Sequence, residues 1–459
     1  MFTQSLKKLF SYVFVFLCNC AFTKHIFAHI LASILKILTL KQNSLNSNHG
    51  PVLFALSWNR IKIDAECLAK SGHFKISYWP DRVQFFIQLR FLNELSHAPH
   101  HVRHANTKQQ RMETQLRDFL SLMFPIFLKK VSAKAVIGAN FWYKQDFRFG
   151  EAAQKNNVPY IVLFKESLKI SETEKKALFD LSAKLERFSG EKIFVHNKTV
   201  AQILTDSEYC RPDQIAVTGA IRMAGFIERC KTDMSLKPAK TNNGHITLFS
   251  FTPGISLNGL AIPPWPNNPY HGWVRLFEAT HSCFAEAAMK NTDRNFIIKI
   301  KYGGRWHNRI RDACFARDIN IDKLENLKIV DDVNAHELIL QSSLVIGFAS
   351  TTLLESGLAG KSIIVPDFEE TLDPYYRKHI KLRDFYPLVS VAQSRDDLIR
   401  QINSNIKFDK TVSAQIQKKR DKFFEENVAS IRSNSMHATV TEMNKIIRKF
   451  EMRLSTSYQ

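Results

Sequence analysis

The chain has 459 residues, more than one ordinary hydrophobic core contains, so we expect two domains. Apolar residues make up 45% of it, which excludes a disordered protein. Lysine and arginine number 64 against 43 acidic residues, and the formal net charge of +21 favours an anionic partner. A membrane surface, a phosphorylated substrate and nucleic acid would all qualify. The basic residues are spread along the chain without zinc-finger spacing or a compact basic-aromatic motif, which argues against nucleic acid.

The first 47 residues form a basic, apolar segment. Lys7 and Lys8 precede an apolar run at residues 9–22, and a second apolar run covers residues 26–40. A signal peptide, a marginal membrane anchor and a basic amphipathic helix at a membrane interface all fit this pattern. We favour the interfacial helix, with a helix packed on its own domain as the alternative.

Short apolar runs alternate with helical patterns over residues 48–230, as in a parallel sheet with crossover helices. The predicted strands cover residues 52–57, 73–79, 135–138, 160–164, 192–196 and 214–218. The predicted helices cover residues 61–71, 112–130, 149–156 and 198–204. We interpret residues 48–230 as an N-terminal Rossmann-like domain.

The polar stretch 231–244 lacks an apolar period and is our predicted linker. The alternation then resumes, with strands predicted at residues 245–251, 295–301, 327–330, 344–348 and 362–365. Helices are predicted at residues 273–290, 335–341, 352–358 and 396–406. We interpret residues 245–412 as a second Rossmann-like domain and residues 413–459 as a basic helical tail. The predicted fold class is therefore α/β, with two Rossmann-like domains facing a cleft.

Seven cysteines are scattered along the chain, and no second pair joins Cys18 and Cys20 to complete a metal-ligand set. The histidines within residues 97–104 also lack neighbouring cysteines or a carboxylate cluster. We therefore predict no metal site and no cofactor, and reduced thiols as in the cytoplasm.

Residues 343–368 carry the most informative pattern, which is a buried strand, a hydroxyl-rich turn, a helix and a second buried strand. Ser350, Thr351 and Thr352 stand where the helix begins, and Glu355 follows within one turn. Hydroxyls and backbone N–H groups at such a turn suit a diphosphate, and the carboxylate suits a ribose. The alternative is a capping box, in which Thr352 and Glu355 satisfy the N–H groups of their own helix.

Three basic residues suit contact with the same ligand. Lys299 and Lys301 end an apolar strand beside a double glycine, where they contact phosphate or form a solvated edge. His336 lies in the first turn of the predicted helix at residues 335–341. There it either faces the nucleotide or bonds only to neighbouring groups of the chain.

Two carboxylates near strand ends of the first domain are candidates for a general base toward an acceptor hydroxyl. Glu166 follows the predicted strand at residues 160–164, and Asp146 lies in the polar stretch after residue 138. The alternative for either residue is an exposed loop charge. Arg222, near the end of the first domain, reaches a phosphate or a surface carboxylate.

The order of these parts resembles the GT-B glycosyltransferases, in which two Rossmann-like domains bind a sugar nucleotide mainly through the second. Residues 331–368, DDVNAHELILQSSLVIGFASTTLLESGLAGKSIIVPDF, resemble their donor segment. Residues 157–166 and 215–222 resemble first-domain segments of bacterial surface-carbohydrate (capsule and lipopolysaccharide) biosynthesis proteins, related in pattern to CDP-glycerol glycerophosphotransferases. The chain differs from the latter where Tyr302-Gly303-Gly304 stands in place of their His-Pro.

This resemblance implies a metal-independent glycosyltransferase that moves a sugar from a nucleotide-sugar donor to a surface-polysaccharide or lipid-linked acceptor. The implied donor-binding residues are Lys299, Lys301, His336, Ser350, Thr351, Thr352 and Glu355. The implied base is Glu166 or Asp146. We expect a cytoplasmic protein peripheral to the inner membrane, with anionic lipid as a partner. The alternatives are a sugar-nucleotide epimerase or hydrolase, and a non-catalytic, membrane-peripheral glycan assembly factor.

Overall fold

The computed structural model describes most of the chain, with gaps. The described residues are 13–14, 16–18, 20, 22–42, 50–91, 107–235, 244–257, 272–301, 303–408 and 411–456. They form two compact units. The first unit contains the described parts of residues 1–169, 175–224 and 427–459, and the second contains those of residues 170–174 and 225–426.

The described strands and helices alternate along most of the chain. The strands are β1 (Leu40–Gln42), β2 (Val52–Ala55), β3 (Lys75–Tyr78), β4 (Ala133–Gly138), β5 (Tyr160–Leu163), β6 (Lys192–Val195), β7 (Ile215–Val217), β8 (His245–Phe249), β9 (Phe296–Lys299), β10 (Leu327–Val330), β11 (Ser342–Gly347), β12 (Ser362–Pro366) and β13 (Ser390–Ala392). The helices are α1 (Lys24–Ile37), α2 (Trp58–Lys70), α3 (Asp81–Phe91), α4 (Thr107–Lys130), α5 (Lys144–Lys155), α6 (Glu172–Ser182), α7 (Lys198–Asp206), α8 (Ala224–Ser235), α9 (Val274–Lys290), α10 (Arg305–Phe315), α11 (Ala335–Gln341), α12 (Thr352–Leu358), α13 (Pro374–Arg377), α14 (Arg395–Phe408), α15 (Ala414–Asn427) and α16 (Ser435–Thr456).

The sheet of the first unit has the strand order β1-β3-β2-β4-β5-β6-β7. Strand β1 pairs antiparallel with β3, and the other neighbours pair in parallel. From β2 onward this is a doubly wound order, because β3 lies on one side of β2 and the later strands lie on the other. The order therefore reverses between β2 and β4.

Both faces of this sheet are covered, as a parallel sheet requires. One face packs on α4 and α5 through aromatic side chains, with the ring of Trp79 4.4 Å from Phe127 and 5.8 Å from Phe149 between centroids. The other face packs on α2 and α16, which bury Ile61 and Met443 in a second apolar cluster. The C-terminal helix α16 therefore belongs to the core of the first unit.

The sheet of the second unit has the order β10-β9-β8-β11-β12-β13, and all of its strands are parallel. Numbered from β8, this is the Rossmann order 3-2-1-4-5-6. The order reverses between β8 and β11, and ligands of such sheets bind beyond the carboxyl ends of the strands at this point. The two sheets confirm the predicted fold class, α/β with two Rossmann-like domains.

Two segments singled out in the sequence are only partly described. Residues 231–235 of the predicted linker form the end of α8, and residues 236–243 lie outside the described residues. The histidines within residues 97–104 lie outside them too. In the described part of the chain, every helix is too short or too polar to cross a bilayer.

Candidate functional site

The carboxyl ends of three strands in the second unit line up at one edge of the sheet. Gly347, the last residue of β11, pairs with Phe249 of β8, and Phe249 pairs with Lys299 of β9. Since neighbouring strands are about 4.8 Å apart, Gly347 and Lys299 lie roughly 10 Å from each other across the strand-order reversal. This edge of the sheet therefore carries two segments that the sequence analysis assigned to a nucleotide-sugar donor, which are the end of β9 and the turn after β11.

A tight turn joins β11 to α12 at this edge. Ala349 takes a left-handed backbone conformation, with φ of 49°, although it is not a glycine. Beyond it, the hydroxyls of Ser350 and Thr352 lie 2.8 Å apart and share a hydrogen bond. Thr351 is the N-cap residue, but its side chain makes no capping hydrogen bond. The turn therefore presents three neighbouring hydroxyl side chains at the carboxyl end of β11.

Glu355 is buried in α12 and faces His336 of α11. Its Oε2 lies 3.4 Å from Nε2 of His336, and only 6% of its surface is exposed. A capping box would need Thr352 as the N-cap residue, whereas the helix begins at Thr352 and is capped at Thr351. The predicted alternative, a capping box, is therefore not formed.

His336 is held from two sides. The side chain of Asn334 accepts hydrogen bonds from the backbone N–H groups of His336 and Glu337, which fixes the first turn of α11. The ring of Phe226, from α8, stacks on the imidazole with the centroids 4.2 Å apart and the planes 20° from parallel. Arg229 of α8 also pairs with Glu337. The histidine is thus positioned by its surroundings and keeps a quarter of its side chain exposed.

Lys299 and Lys301 have different environments. The amine of Lys299 donates hydrogen bonds to the backbone oxygens of Ile300 and Asp331, at 2.9 and 2.7 Å, and so ties the ends of β9 and β10 together. Partial burial lowers the pKa of this amine. Lys301 is exposed. A phosphate contact by Lys299 would use its remaining N–H group.

Glu166 lies in the first unit, three residues beyond the end of β5. Its carboxylate is half exposed and lies 4.0 Å from the amine of Lys165. Burial lowers the pKa of Lys165. Glu166 is therefore an accessible carboxylate beside a cation, at the carboxyl edge of the first sheet.

Asp146 differs from the sequence expectation of an exposed loop carboxylate. Helix α5 begins at Lys144, so Asp146 lies in its first turn, where it is fully buried. Its Oδ1 accepts hydrogen bonds from Ser57 Oγ at 2.6 Å and from Gln84 Nε2 at 3.0 Å. Residues 144–148 are mostly polar, so the sequence favoured a loop there. The partners that bury Asp146 lie far away in the sequence and were not visible in the local pattern. In this position the hydrogen bonds of Asp146 join segments beside the strand-order reversal of the first sheet. Its buried carboxyl group is not accessible to a substrate.

Burial raises the pKa of Asp146 to about 7. Within the described residues its Oδ2 has no hydrogen-bond partner. A neutral carboxyl group is therefore favoured there at mildly acidic pH, because an ionised one would be buried away from water.

A buried pair at the end of β8 was not predicted from the sequence. Nε2 of His281 lies 2.9 Å from Oγ of Ser250, and its Nδ1 lies 2.7 Å from the carbonyl oxygen of Phe277. His281 is fully buried, which lowers its pKa to about 4. The neutral ring donates to Phe277 and accepts from Ser250, so it orients the Ser250 hydroxyl at the strand-order reversal. The predicted strand at residues 245–251 included Ser250, whereas β8 ends at Phe249, so the sequence pattern did not place this hydroxyl at the strand end.

Arg222 pairs with a buried acid. Its guanidinium donates two hydrogen bonds to Asp64, at 2.9 and 2.5 Å. Asp64 is buried in α2, so the carboxylate is not the surface group that the sequence suggested. Among the described residues, no three His, Cys, Asp or Glu side chains come together as a metal site would require.

Comparisons with known proteins find similarity only to solved structures, at the level of the fold. No protein-family model and no curated protein matches it. Similar solved structures include a UDP-GlcNAc 2-epimerase from Neisseria meningitidis bound to UDP-GlcNAc, with 12% identity, a TM-score of 0.47 and coverage of 86% of this chain and 99% of that one. The wall teichoic acid polymerase TagF has 12% identity, a TM-score of 0.48 and 99% coverage of both chains. A glycosyltransferase from Rickettsia africae has 13% identity, a TM-score of 0.40 and coverage of 88% and 99%. These values are too low to support any argument about activity.

Proposed function

We propose that the chain is a glycosyltransferase of GT-B type, which moves a sugar from a nucleotide-sugar to a surface-polysaccharide or lipid-linked acceptor. The observation that carries the proposal is the buried carboxylate of Glu355, which faces His336 in helices flanking a Rossmann-ordered sheet. Burying a carboxylate is costly unless it has partners, and its own helix does not use it as a cap. His336 supplies one partner, and a ligand that offers hydroxyl groups would supply others.

In this proposal each part of the edge has a role toward the donor. Ser350, Thr351 and Thr352 donate hydrogen bonds to the diphosphate from their hydroxyls. Glu355 accepts hydrogen bonds from the ribose, since an ionised carboxylate has several free lone pairs. Lys299 and Lys301 stabilise the charge that develops on the departing nucleotide.

The proposed acceptor side lies in the first unit. Glu166 is our candidate for the base that removes the proton of the acceptor hydroxyl, because it is accessible and lies three residues beyond the end of a parallel strand. Asp146 is enclosed by Ser57 and Gln84, so we assign it to positioning the fold. The net charge of +21 favours phosphorylated acceptors and work at the cytoplasmic face of an anionic membrane.

A second candidate function is epimerisation or hydrolysis of a sugar nucleotide. His336 favours it, because a partly exposed histidine beside a carboxylate is a proton-transfer pair. The two reactions can be distinguished by their products. A transferase joins the sugar to an acceptor, whereas the alternative releases free sugar or a changed sugar nucleotide without one.

A thermal-shift screen against UDP-, GDP-, CDP- and CMP-linked sugars and the free nucleotides tests the donor site. A ligand that binds only the native protein must raise its unfolding midpoint. We expect one nucleotide class to stabilise the wild type and the Glu286→Gln control, but not the Glu355→Gln variant. The control removes a partly exposed carboxylate of α9, which pairs with Lys290 on the same helix. Equal stabilisation of both variants would remove Glu355 from the site, and no stabilisation by any nucleotide would favour a non-catalytic assembly factor.

A further inference from the structure

Helix α1 is apolar on two opposite faces. The inner face packs in the core of the first unit, and its buried residues are Ala28, Leu31, Ala32 and Leu35. The outer face carries four isoleucines with 47% to 82% of their surface exposed, which are Ile26, Ile30, Ile34 and Ile37. At 100° per residue, this spacing places them within a stripe about 80° wide. We call these four residues the isoleucine stripe.

A surface helix normally places polar residues opposite its buried stripe. The isoleucine stripe breaks this pattern, and apolar exposure continues beyond both ends of α1. Phe22 is 90% exposed before the helix, and Leu38 and Leu40 are exposed after it. Exposed apolar side chains that stand alone are common, but a continuous surface of them marks an interaction site.

The chain segment that carries this surface has charged side chains of one sign. The first acidic residue of the chain is Asp64, so the preceding sequence carries no negative side chain. It contains seven basic residues, which are Lys7, Lys8, Lys24, Lys36, Lys41, Arg60 and Lys62. Lys24 and Lys36 lie on α1 itself. A partner with negative charge spread along an apolar surface complements this segment.

An anionic bilayer matches these features better than a second copy of the chain. Two copies joined through the isoleucine stripe would bring lysines together without any acidic side chain from this segment to pair with them. A transmembrane position is excluded for α1, because its 14 residues span about 21 Å and its inner face is buried in protein. An interfacial helix needs an apolar face for the acyl boundary and lysines for the head groups, and α1 has both.

We propose that the isoleucine stripe docks the protein on an anionic membrane, with α1 lying in the plane of the interface. The isoleucines enter the boundary between head groups and acyl chains, and the surrounding lysines contact the lipid phosphates. This inference does not depend on the proposed reaction. The sequence analysis treated an interfacial helix and a helix packed on its own domain as alternatives. The proposal combines them, since one face of α1 packs on its own unit and the other is exposed.

Flotation of the full-length protein with lipid vesicles tests the proposal. One vesicle preparation contains phosphatidylcholine alone, and the other contains equal parts of phosphatidylcholine and phosphatidylglycerol. We expect flotation mainly with the anionic vesicles, and a loss of binding as salt is raised. The Ile30→Glu/Ile34→Glu variant should lower the partition coefficient by roughly tenfold or more, because two charges replace apolar side chains at the acyl boundary.

The matched control is Phe315→Glu/Phe408→Glu, which changes two exposed apolar residues of the second unit. It should float as the wild type does. Because Ile30 and Ile34 are exposed, both double variants should unfold at the wild-type temperature, which separates lost docking from lost folding. Wild-type flotation of the Ile30→Glu/Ile34→Glu variant would overturn the proposal. A vesicle-free dimer that this variant converts to a monomer would overturn it too, because a second copy would then cover the stripe.

Discussion

Nε2 of His336 lies 3.4 Å from the carboxylate of Glu355, across the contact between α11 and α12. The sequence offered two uses for Glu355, a cap for its own helix or a ligand contact. The pairing with His336 argues against the capping role, because a carboxylate that faces another helix does not close a reciprocal capping box. Substitution of Glu355 therefore changes a contact between two helices at the edge of the sheet, and the consequences for helix capping are small.

The first prediction concerns the coupling of His336 and Glu355 in nucleotide binding. We expect Glu355→Gln and His336→Gln each to weaken binding of the stabilising nucleotide roughly tenfold to hundredfold, as loss of a charged hydrogen bond does. Because the two side chains are in contact, the double variant should lose less than the sum, with a coupling energy of about 0.5–3 kcal/mol. Isothermal titration calorimetry measures all four proteins. Strictly additive losses would mean that the two residues act separately.

The second prediction concerns stability as a function of pH. The pKa of Asp146 is raised from 3.8 to about 7 by burial, so between these values the native protein keeps a proton that the unfolded chain has released. Unfolding then releases a proton, and stability falls as the pH rises through this window, by at most about 1.4 kcal/mol per pH unit. Above pH 7 the loss levels off.

The Asp146→Asn variant mimics the neutral acid and removes this dependence. We therefore expect it to match the wild type near pH 4 and to exceed the wild-type free energy of unfolding increasingly up to about pH 7, with a nearly constant difference above that. Urea denaturation of both proteins at several pH values measures the difference, in which the titration of His281 cancels because both proteins share it. A constant difference over the whole range would contradict the assignment of the raised pKa to Asp146.

The third prediction concerns the Asp64–Arg222 pair. Asp64→Ala leaves a mostly buried guanidinium without its carboxylate, which should destabilise the first unit by about 3 kcal/mol. The matched control is Asp213→Ala, which removes the partner of Arg211 at an exposed site. Exposed pairs contribute little, so this variant should unfold like the wild type. Equal effects of the two substitutions in thermal unfolding would mean that burial of the Asp64 pair does not matter.

The fourth prediction concerns the proposed base. Glu166→Gln should lower kcat of sugar transfer by roughly 100-fold or more, as loss of a general base does, and leave donor affinity unchanged. Steady-state kinetics with the donor identified by thermal shift gives both quantities. Glu208→Gln is the control, because it alters an exposed carboxylate of the same unit that pairs with Arg187. A Glu166→Gln enzyme with the wild-type rate would exclude Glu166 as the base.

Much of the fold could be predicted from the sequence because buried parallel strands read as short, continuous apolar runs. The predicted strand at residues 192–196 matches β6, and the predicted strand at residues 362–365 lies within β12. Helix α3 (Asp81–Phe91) was missed, because polar and apolar residues are mixed around it and its helical period is weak. The pattern also could not show that α16 packs in the first unit, since adjacency along the chain says nothing about that contact.

The sequence by itself determined the alternation of strands and helices, the charge of the N-terminal segment and the hydroxyl-rich turn at Ser350. These are local properties, written in neighbouring residues. The tertiary structure alone decided that Asp146 meets Ser57, 89 positions away, and becomes a buried group with a raised pKa. It also decided that Glu355 faces His336, and which side of α1 stays exposed. Burial and pairing depend on which distant segments fold together, and a residue's type and spacing do not specify its partner.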